Sequence, residues 1–307
     1  YIYDYNIQYG LFFLIISKNP KKIKDYFVSK QIYIRDKNID IPDSNTVWKV
    51  DGNKKLTNKN PIKLTWSNTQ GITFEKHISL DDQFLFTVKQ KIINLSDKTY
   101  NFYSYGQIIR NKIPQISNFY ILHEGLIATL DDELIEEDYD DIQEKKFSKT
   151  AQKGWLGISD KFWISSIIPP RGKEFKLTFD YKKKFRANYI STEGIEAGPN
   201  DAIEEEIQII VAAKRVNVID GYAENLKIDK FDLVIDWGML YFLTRPLFFA
   251  IDYFFKLCGN YGVAIILMTL AIRIAIFPLA NYSFRSMGKM KLLQPEMARL
   301  KELHKDD

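Results

Sequence analysis

The residue in the most unusual chemical setting is Arg273, which lies inside an otherwise apolar run from Tyr261 to Leu279. A helix that crosses a bilayer needs about 20 mostly apolar residues, and this run has about that length. Burying a guanidinium in hydrocarbon costs about 2.5–3.5 kcal/mol on insertion scales and about 10–17 kcal/mol in simulations of isolated helices. We therefore expect Arg273 to face water or another polypeptide, which makes it a candidate functional residue.

A second explanation of Arg273 stays open on position alone. The apolar run continues to Leu279 before the polar Asn281, so Arg273 lies about 9 Å inside that end of the helix. Arginine side chains cover such distances by extending, or snorkelling, to the lipid headgroups. The spacing by itself favours neither explanation.

Two other groups of side chains could carry chemistry. The acidic stretch Asp131–Glu144 could hold calcium, but it lacks the glycine and the regular alternation of a calcium loop. We predict a solvated loop there and no metal site. Sugar chemistry needs an acid/base pair around a ring oxygen. Of the 3 histidines, His304 falls in the segment after the apolar run, and His77 and His123 have sequence settings typical of surface or structural residues. No catalytic residue and no cofactor is predicted.

The elements before the apolar run are predicted to be strands. From about Ile32 to Val218 the sequence alternates with period two, and turn residues such as Asp51-Gly52 separate β-branched runs. Many strands without intervening helical patterns favour an antiparallel sandwich over βαβ units. The predicted strands are Ile62–Trp66, Ile72–Ile78, Phe84–Val88, Tyr100–Ile109, Phe162–Ile168, Phe175–Tyr181, Phe185–Ser191 and Glu206–Ala212.

A helical period replaces the alternation near residue 217. Asn217–Asn225 predicts a short helix, Phe231–Trp237 a connector, and Leu240–Cys258 a longer helix with Arg245 and Pro246 inside it. That helix is too polar to span a membrane, so we predict that it lies in the outer interface. Its predicted membrane anchors are Phe248, Phe249, Tyr253 and Phe255. The charged side chains of Asp252 and Lys256 are predicted to remain in water.

Basic residues crowd the segment that follows the apolar run. By the positive-inside rule they place residues 280–307 in the cytoplasm and residues 1–260 outside it. Met287–His304 has apolar residues at intervals of three and four, which predicts an amphipathic helix whose partner comes from beyond Asp307. The candidate interaction residues of this helix are Lys289, Met290, Leu293 and Met297.

Composition indicates a largely soluble body with one membrane element. The chain has 307 residues, 46% of them hydrophobic, a formal net charge of +4 and a mean hydropathy of −0.24, whereas a polytopic protein is far more apolar. The single cysteine, Cys258, excludes an internal disulfide. Basic residues are spread evenly, so no nucleic-acid partner is predicted. The apolar run Leu11–Ile16 is too short for a signal peptide or a span. We therefore expect a fragment that either lacks an upstream anchor or begins inside the mature protein, and that is also cut at its C-terminus.

Several blocks of sequence resemble the YidC membrane protein insertases of Gram-negative bacteria. The strongest is Thr269–Leu279 (TLAIRIAIFPL), and order, spacing and chemistry agree between the blocks. The resemblance is dense from Lys153 onward and poor before about Ile39. The other matching blocks are Lys153–Gly157, Asp160–Trp163, Ile235–Gly238, Phe242–Leu247, Gly259–Gly262, Ser286–Met290 and Leu293–Pro295.

The resemblance implies a mainly β fold, an antiparallel β-supersandwich similar to galactose mutarotases, followed by helices. The implied domains are a periplasmic domain (1–216), a helical connector (217–239), an interfacial helix (240–258), a transmembrane helix (261–279) and the start of a cytoplasmic helical hairpin (280–307). This arrangement places the protein in the bacterial inner membrane.

The resemblance also implies an activity. Proteins of this family insert and help to fold nascent inner-membrane proteins, alone or with the Sec translocon, in contact with lipid and with the ribosome as a further partner. Their arginine at the position of Arg273 lines a hydrophilic groove, which favours a groove over snorkelling. The alternative from another class is a membrane-anchored carbohydrate-binding or mutarotase-like domain, since the implied outer fold is shared with proteins that process sugars.

Overall fold

The computed structural model describes residues 26–34, 38–43, 46–52, 54–111 and 123–303. The predictions made for Leu11–Ile16 and His304 lie outside these residues. The chain divides after Asp236 into two units, which are described separately below.

The first unit is a sandwich of two antiparallel sheets, so the mainly β prediction is confirmed. Every predicted strand is present, and some are longer than predicted: the last begins at Asp201 instead of Glu206. The strands are β1 (Tyr26–Ile34), β2 (Lys49–Asp51), β3 (Ile62–Ser67), β4 (Ile72–Leu80), β5 (Leu85–Asn94), β6 (Tyr100–Arg110), β7 (Gly125–Leu130), β8 (Glu133–Asp138), β9 (Phe147–Ala151), β10 (Gly154–Ser159), β11 (Trp163–Ile168), β12 (Phe175–Tyr181), β13 (Phe185–Ser191), β14 (Ile195–Ala197) and β15 (Asp201–Ala213).

The two sheets enclose the main hydrophobic core. One sheet has six strands in the order β1-β6-β13-β12-β9, with β14 beside β6, and the other has nine in the order β2-β3-β4-β5-β15-β11-β10-β7-β8. Alternate residues of β4 point inward, so that Ile72, Phe74 and Ile78 are fully buried. Phe74 meets Phe102 of the opposite sheet edge to face, with ring centroids 6.1 Å apart.

A second hydrophobic cluster covers the outer face of the nine-stranded sheet. It is formed by helix α2 (Val216–Asn225) and a 3-10 turn (Phe231–Val234), which the sequence predicted as a helix and a connector. The Trp155 ring packs edge to face on Phe231 at 5.1 Å, and its Nε1 donates a hydrogen bond to the Asp229 carbonyl at 3.2 Å. Because both faces of this region are covered, β7 and most of β10 are buried without alternation.

The prediction of a solvated loop over Asp131–Glu144 is wrong. These residues form β8, an edge strand of the nine-stranded sheet, and a short helix α1 (Tyr139–Glu144). Three apolar side chains at suitable spacing, Ile135, Tyr139 and Ile142, are buried. At an edge these few contacts suffice, because the acidic side chains between them remain in water.

Two lysines lie inside the sandwich. The Lys30 ammonium on β1 donates to Ser104 Oγ and lies 3.3 Å from Glu205 Oε2, and the Lys76 ammonium on β4 donates to the Lys30 carbonyl at 3.1 Å. Lys76 also lies 4.7 Å from the centre of the Trp48 ring. Burial lowers the pKa of Lys30 to about 8, against the attraction of Glu205. Burial lowers the pKa of Lys76 to about 7, and the charge of Lys30 acts in the same direction.

Replacing Lys76 with methionine is expected to stabilise the sandwich at pH 7 by about 1–4 kcal/mol, because a buried charge is exchanged for an apolar side chain of similar length. The unfolded lysine keeps a pKa near 10.5. The unfolded state therefore binds more protons between about pH 7 and 10.5, and wild-type stability rises with pH across that window. Denaturant unfolding in detergent at pH 7 and pH 9 measures both effects.

The methionine variant should lose the part of this pH dependence that comes from Lys76, and the part that comes from Lys30, whose pKa is lowered to about 8, should remain. The control is Lys49→Met on β2, where the lysine side chain is 82% exposed and little change is expected. A Lys76→Met variant less stable than wild type at pH 7 would contradict the account.

The second unit consists of two helices, α3 (Tyr241–Cys258) and α4 (Tyr261–Leu303). Gly259 ends α3 in the left-handed conformation at φ 67°, and its N–H donates to the Phe255 carbonyl at 2.7 Å. The predicted membrane span and the predicted cytoplasmic helix are joined in α4 as one helix, with Pro278 and Pro295 inside it. By length and composition, Tyr261–Pro295 is a candidate membrane span.

Candidate functional site

Arg273 lies on an exposed face of α4. Its side chain is exposed, whereas Ala264 and Met268 are buried. At 3.6 residues per turn, Ala264 is about half a turn around the helix from Arg273, and Met268 is also on the far side. The guanidinium is therefore on the side of α4 opposite its buried residues.

Thr269 lies one turn before Arg273 on the same face. Its hydroxyl donates to the Ile265 carbonyl at 2.8 Å, which satisfies the hydroxyl within the helix and leaves an oxygen acceptor at the surface. The sequence analysis did not select Thr269 as a site residue, although its separation of four residues from Arg273 was a usable signal. The two side chains form a short polar strip on the helix.

Exposed apolar residues surround this strip. Ile266, Leu270 and Phe277 are 68%, 54% and 66% exposed, and all three lie within about a quarter turn of Arg273. Arginine offers five N–H donors, accepts none and stays charged at any ordinary pH. Such a strip can hold a carboxylate or a backbone carbonyl beside an otherwise apolar surface.

The aromatic residues predicted as anchors occupy different settings on α3. Phe248, Phe249 and Tyr253 are 40%, 41% and 61% exposed, and the Phe248 ring packs on Trp237 at 5.5 Å. Phe255 instead stacks on Tyr261 at the start of α4, with ring centroids 3.9 Å apart.

The two charged residues predicted to stay wet on α3 form an ion pair. Asp252 and Lys256 lie one turn apart, and Lys256 Nζ is 2.7 Å from Asp252 Oδ2. The lysine side chain is 67% exposed and the aspartate side chain 21%. Their interfacial location remains a prediction.

The residues predicted to interact on the cytoplasmic side all lie on the later part of α4. Met290, Leu293 and Met297 are 62%, 55% and 68% exposed, and Lys289 is exposed beside them. Their spacing of three and four residues puts the apolar side chains on one stripe. The partner of this stripe remains a prediction.

Each of the two described histidines lies beside a carboxylate on the sandwich. His77 is half-exposed on β4, and its Nε2 is 3.8 Å from Glu75 Oε2. His123 Nδ1 is 3.3 Å from Asp138 Oδ1, and its Nε2 is 3.2 Å from the Leu126 carbonyl. In the part of the chain that the structure describes, no group of three or more His, Cys, Asp and Glu residues could hold a metal ion.

Comparison with known families gives two matches that together cover most of the chain. The YidC periplasmic domain family matches residues 13–250, and the 60Kd inner membrane protein family matches residues 253–307. The chain is 72% identical over 305 residues to the membrane protein insertase YidC of Pelagibacter ubique, covering 99% of this chain and 55% of that protein. The membrane protein insertase YidC of Brucella melitensis is 39% identical over 296 residues, which cover 94% of this chain and 48% of that protein.

The solved structures that match include one named as related to galactose mutarotase. A galactose mutarotase related enzyme from Lactobacillus acidophilus is 11% identical, covers 55% of this chain and 72% of its own, and has a TM-score of 0.40. The Slr1438 protein of Synechocystis is also 11% identical with a TM-score of 0.40, covering 56% of this chain and 68% of its own.

A periplasmic β-sandwich followed by a helix able to cross a membrane defines this chain as an inner-membrane protein with a large outer domain. It belongs to the YidC family of membrane protein insertases. The chain spans about half the length of the relatives it matches.

Proposed function

We propose that the protein containing this chain inserts proteins into the inner membrane and assists their folding, using the polar strip of Thr269 and Arg273. The observation that carries the proposal is an exposed arginine within a candidate membrane span, on the side opposite the buried residues of the helix. Family membership supports the same activity, since the relatives are named as insertases.

The proposed mechanism follows from the cost of moving polar groups through lipid. A client segment that crosses hydrocarbon alone leaves its polar groups without partners, at several kcal/mol for each backbone group and more for each charge. Arg273 offers a fixed positive charge and several donors to such a segment, in a hydrated groove, while the apolar neighbours Ile266 and Leu270 receive its hydrophobic part. Acidic client segments gain most from this arrangement.

We propose the remaining partners and the topology on the same basis. Residues before about 260 lie on the periplasmic side and residues 280–307 in the cytoplasm, where the apolar stripe of Met290, Leu293 and Met297 binds a further helix. Nascent inner-membrane proteins are the clients, and the Sec translocon and the ribosome are partners. The protein is proposed to act without enzymatic chemistry, and no observation favours the carbohydrate-binding alternative.

Insertion by the full-length protein tests this function. The protein is reconstituted into liposomes, and a ribosome-synthesised client with a short acidic outer segment is scored by protease protection. We expect insertion to rise well above that of protein-free liposomes. Equal protection with and without the protein, for several such clients, would contradict the proposal.

The interfacial location of α3 makes a separate prediction. Single cysteines replacing Asp252 and Lys256, with Cys258 changed to serine, should react with a membrane-impermeant reagent added from the periplasmic side. The reason is that charged side chains of an interfacial helix remain in water. A cysteine at Leu243, which is 46% exposed and lies roughly opposite Asp252 and Lys256 around the helix, is the control and should react slowly. Protection of positions 252 and 256 would indicate that α3 spans the membrane or is buried in protein.

A further inference from the structure

Two hairpin tips of the sandwich combine lysines with exposed aromatic rings. The β12–β13 turn contains Lys182, Lys183 and Lys184, all exposed, and follows Tyr181, which is 40% exposed. The β10–β11 turn contains Lys161 and Phe162. Phe162 is 60% exposed, and the Lys161 ammonium lies 5.3 Å from the centre of its ring. We call these two turns the lysine–aromatic tips.

The lysine–aromatic tips lie at the same end of the sandwich, although they belong to different sheets. Arg110 at the end of β6 pairs with Phe185, the first residue after the β12–β13 turn. Arg110 Nη1 also lies 2.9 Å from Asp160 Oδ2 in the β10–β11 turn, and these side chains are only 7% and 17% exposed. Tyr139 completes the link, because its ring is 4.7 Å from that of Phe185 and its hydroxyl donates to Asp160 at 3.4 Å.

The chain leaves the sandwich at this same end. Asp236, the last residue of the first unit, accepts the backbone N–H of His123 at 3.2 Å. His123 lies just before β7, whose first residue Gly125 pairs with Ser159, the neighbour of Asp160. The last residue of the first unit therefore lies at the end of the sandwich that carries the tips.

The surface beside the tips carries charges of both signs. Helix α1 lies at this end too, and its residues Asp140, Asp141 and Glu144 are exposed. Lys145 and Lys146, which follow α1, are exposed as well, so the charges beside the tips partly cancel and the attraction of an anionic surface is greatest at the hairpin tips.

We propose that the lysine–aromatic tips dock the sandwich on anionic phospholipid headgroups at the outer surface of the membrane. Aromatic rings favour the headgroup boundary, and each lysine near an anionic bilayer strengthens binding about fivefold. Two tips of this size bind weakly alone, but tethering by the membrane helices makes the contact intramolecular and raises its effective concentration. The contact holds the sandwich against the bilayer and leaves its opposite end free.

Fluorescence quenching in lipid vesicles tests the docking. The whole chain, with Cys258 changed to serine, is reconstituted and labelled at one cysteine, which replaces either Lys183 in a tip or Gln152 in the β9–β10 turn at the opposite end. The vesicles contain doxyl-labelled lipid as quencher, in phosphatidylcholine with or without 40% phosphatidylglycerol. We expect several-fold stronger quenching at position 183 than at 152 with phosphatidylglycerol, and weaker quenching at high salt or in pure phosphatidylcholine.

Charge reversal provides a matched comparison. Lys161→Glu with Lys182→Glu should lower the docking equilibrium at least about 25-fold, at about fivefold per lysine. Lys176→Glu with Lys227→Glu, away from the tips, makes the same charge change and should leave docking intact. Equal quenching at positions 183 and 152 would overturn the proposal, as would quenching at 183 that does not depend on phosphatidylglycerol. Quenching that rises with protein density would indicate contact between copies of the chain and would overturn it as well.

Discussion

Replacing Gly154 with alanine is expected to destabilise the sandwich by at least about 4 kcal/mol. The new methyl group would clash with a neighbouring strand, and the backbone conformation at this position is one that alanine rarely adopts. Gly154 has φ +138°, a conformation that residues with a side chain rarely adopt. An added Cβ would lie 1.8 Å from the Thr129 carbonyl oxygen and 2.9 Å from its carbon. Both are backbone atoms of β7, which is buried and paired on both sides.

The cost should spread to the outer face of the nine-stranded sheet. Lys153 and Trp155 flank Gly154. Lys153 Nζ lies 2.9 Å from Asp132 Oδ2 and 3.3 Å from Asp229 Oδ2. The Trp155 ring packs against Phe231 of the 3-10 turn. Moving the strand to relieve the clash disturbs both contacts. We expect the variant to unfold at much lower denaturant concentration by tryptophan fluorescence.

Gly172→Ala separates the two causes of this effect. Gly172 also has a positive φ, +72°, but an added Cβ would meet nothing within 4 Å. Its substitution should cost only the conformational strain, on the order of 1 kcal/mol. Similar losses in the two variants would show that the contact with Thr129 is not the cause.

Replacing Arg273 with alanine in the full-length protein is expected to slow insertion of acidic clients about 10-fold to 100-fold. This range corresponds to the loss of one charge-assisted interaction, about 1.5–3 kcal/mol. Arg273→Lys keeps the charge but loses the planar fork of donors, so it should retain more activity than alanine. Initial rates of insertion into proteoliposomes, with the clients chosen in advance, measure the difference.

Arg285→Ala is the matched control for Arg273. Arg285 is also an exposed arginine of α4, but it follows the apolar run Tyr261–Leu279, so we expect its side chain to reach the headgroups. At equal protein levels, Arg285→Ala should reduce insertion far less than Arg273→Ala does. Arg273→Ala activity equal to wild type for every acidic client would refute the proposed role of the charge.

Most of the sandwich could be predicted from the sequence because its strands alternate. In β4, Ile72, Phe74 and Ile78 follow the period that also places Lys76 inward, so the buried lysine had a visible signal in the sequence. The stretch Asp131–Glu144 was mispredicted because its acidic composition hid three apolar side chains that only the tertiary fold brings to the core.

Only part of the candidate site could be predicted from the sequence. The position of Arg273 in an apolar run follows from composition, since no other charge interrupts that run. The side of α4 on which Arg273 lies does not follow from composition, because the burial of Ala264 and Met268 depends on tertiary contacts. The ends of the sandwich were unpredictable as well, since strand registry and the Arg110–Asp160 contact are needed to bring the two tips together.

Site-specific photo-crosslinking during insertion tests the central claim most directly. A photoreactive amino acid is placed in the full-length protein at Thr269, on the Arg273 face of α4, or at Ala275, which is exposed at a nearby position but lies roughly opposite Arg273 around the helix. With a stalled acidic client, we predict strong crosslinks from position 269 and few from position 275. Equal crosslinking from both positions, or stronger crosslinking from 275, would contradict a client path along the Arg273 face.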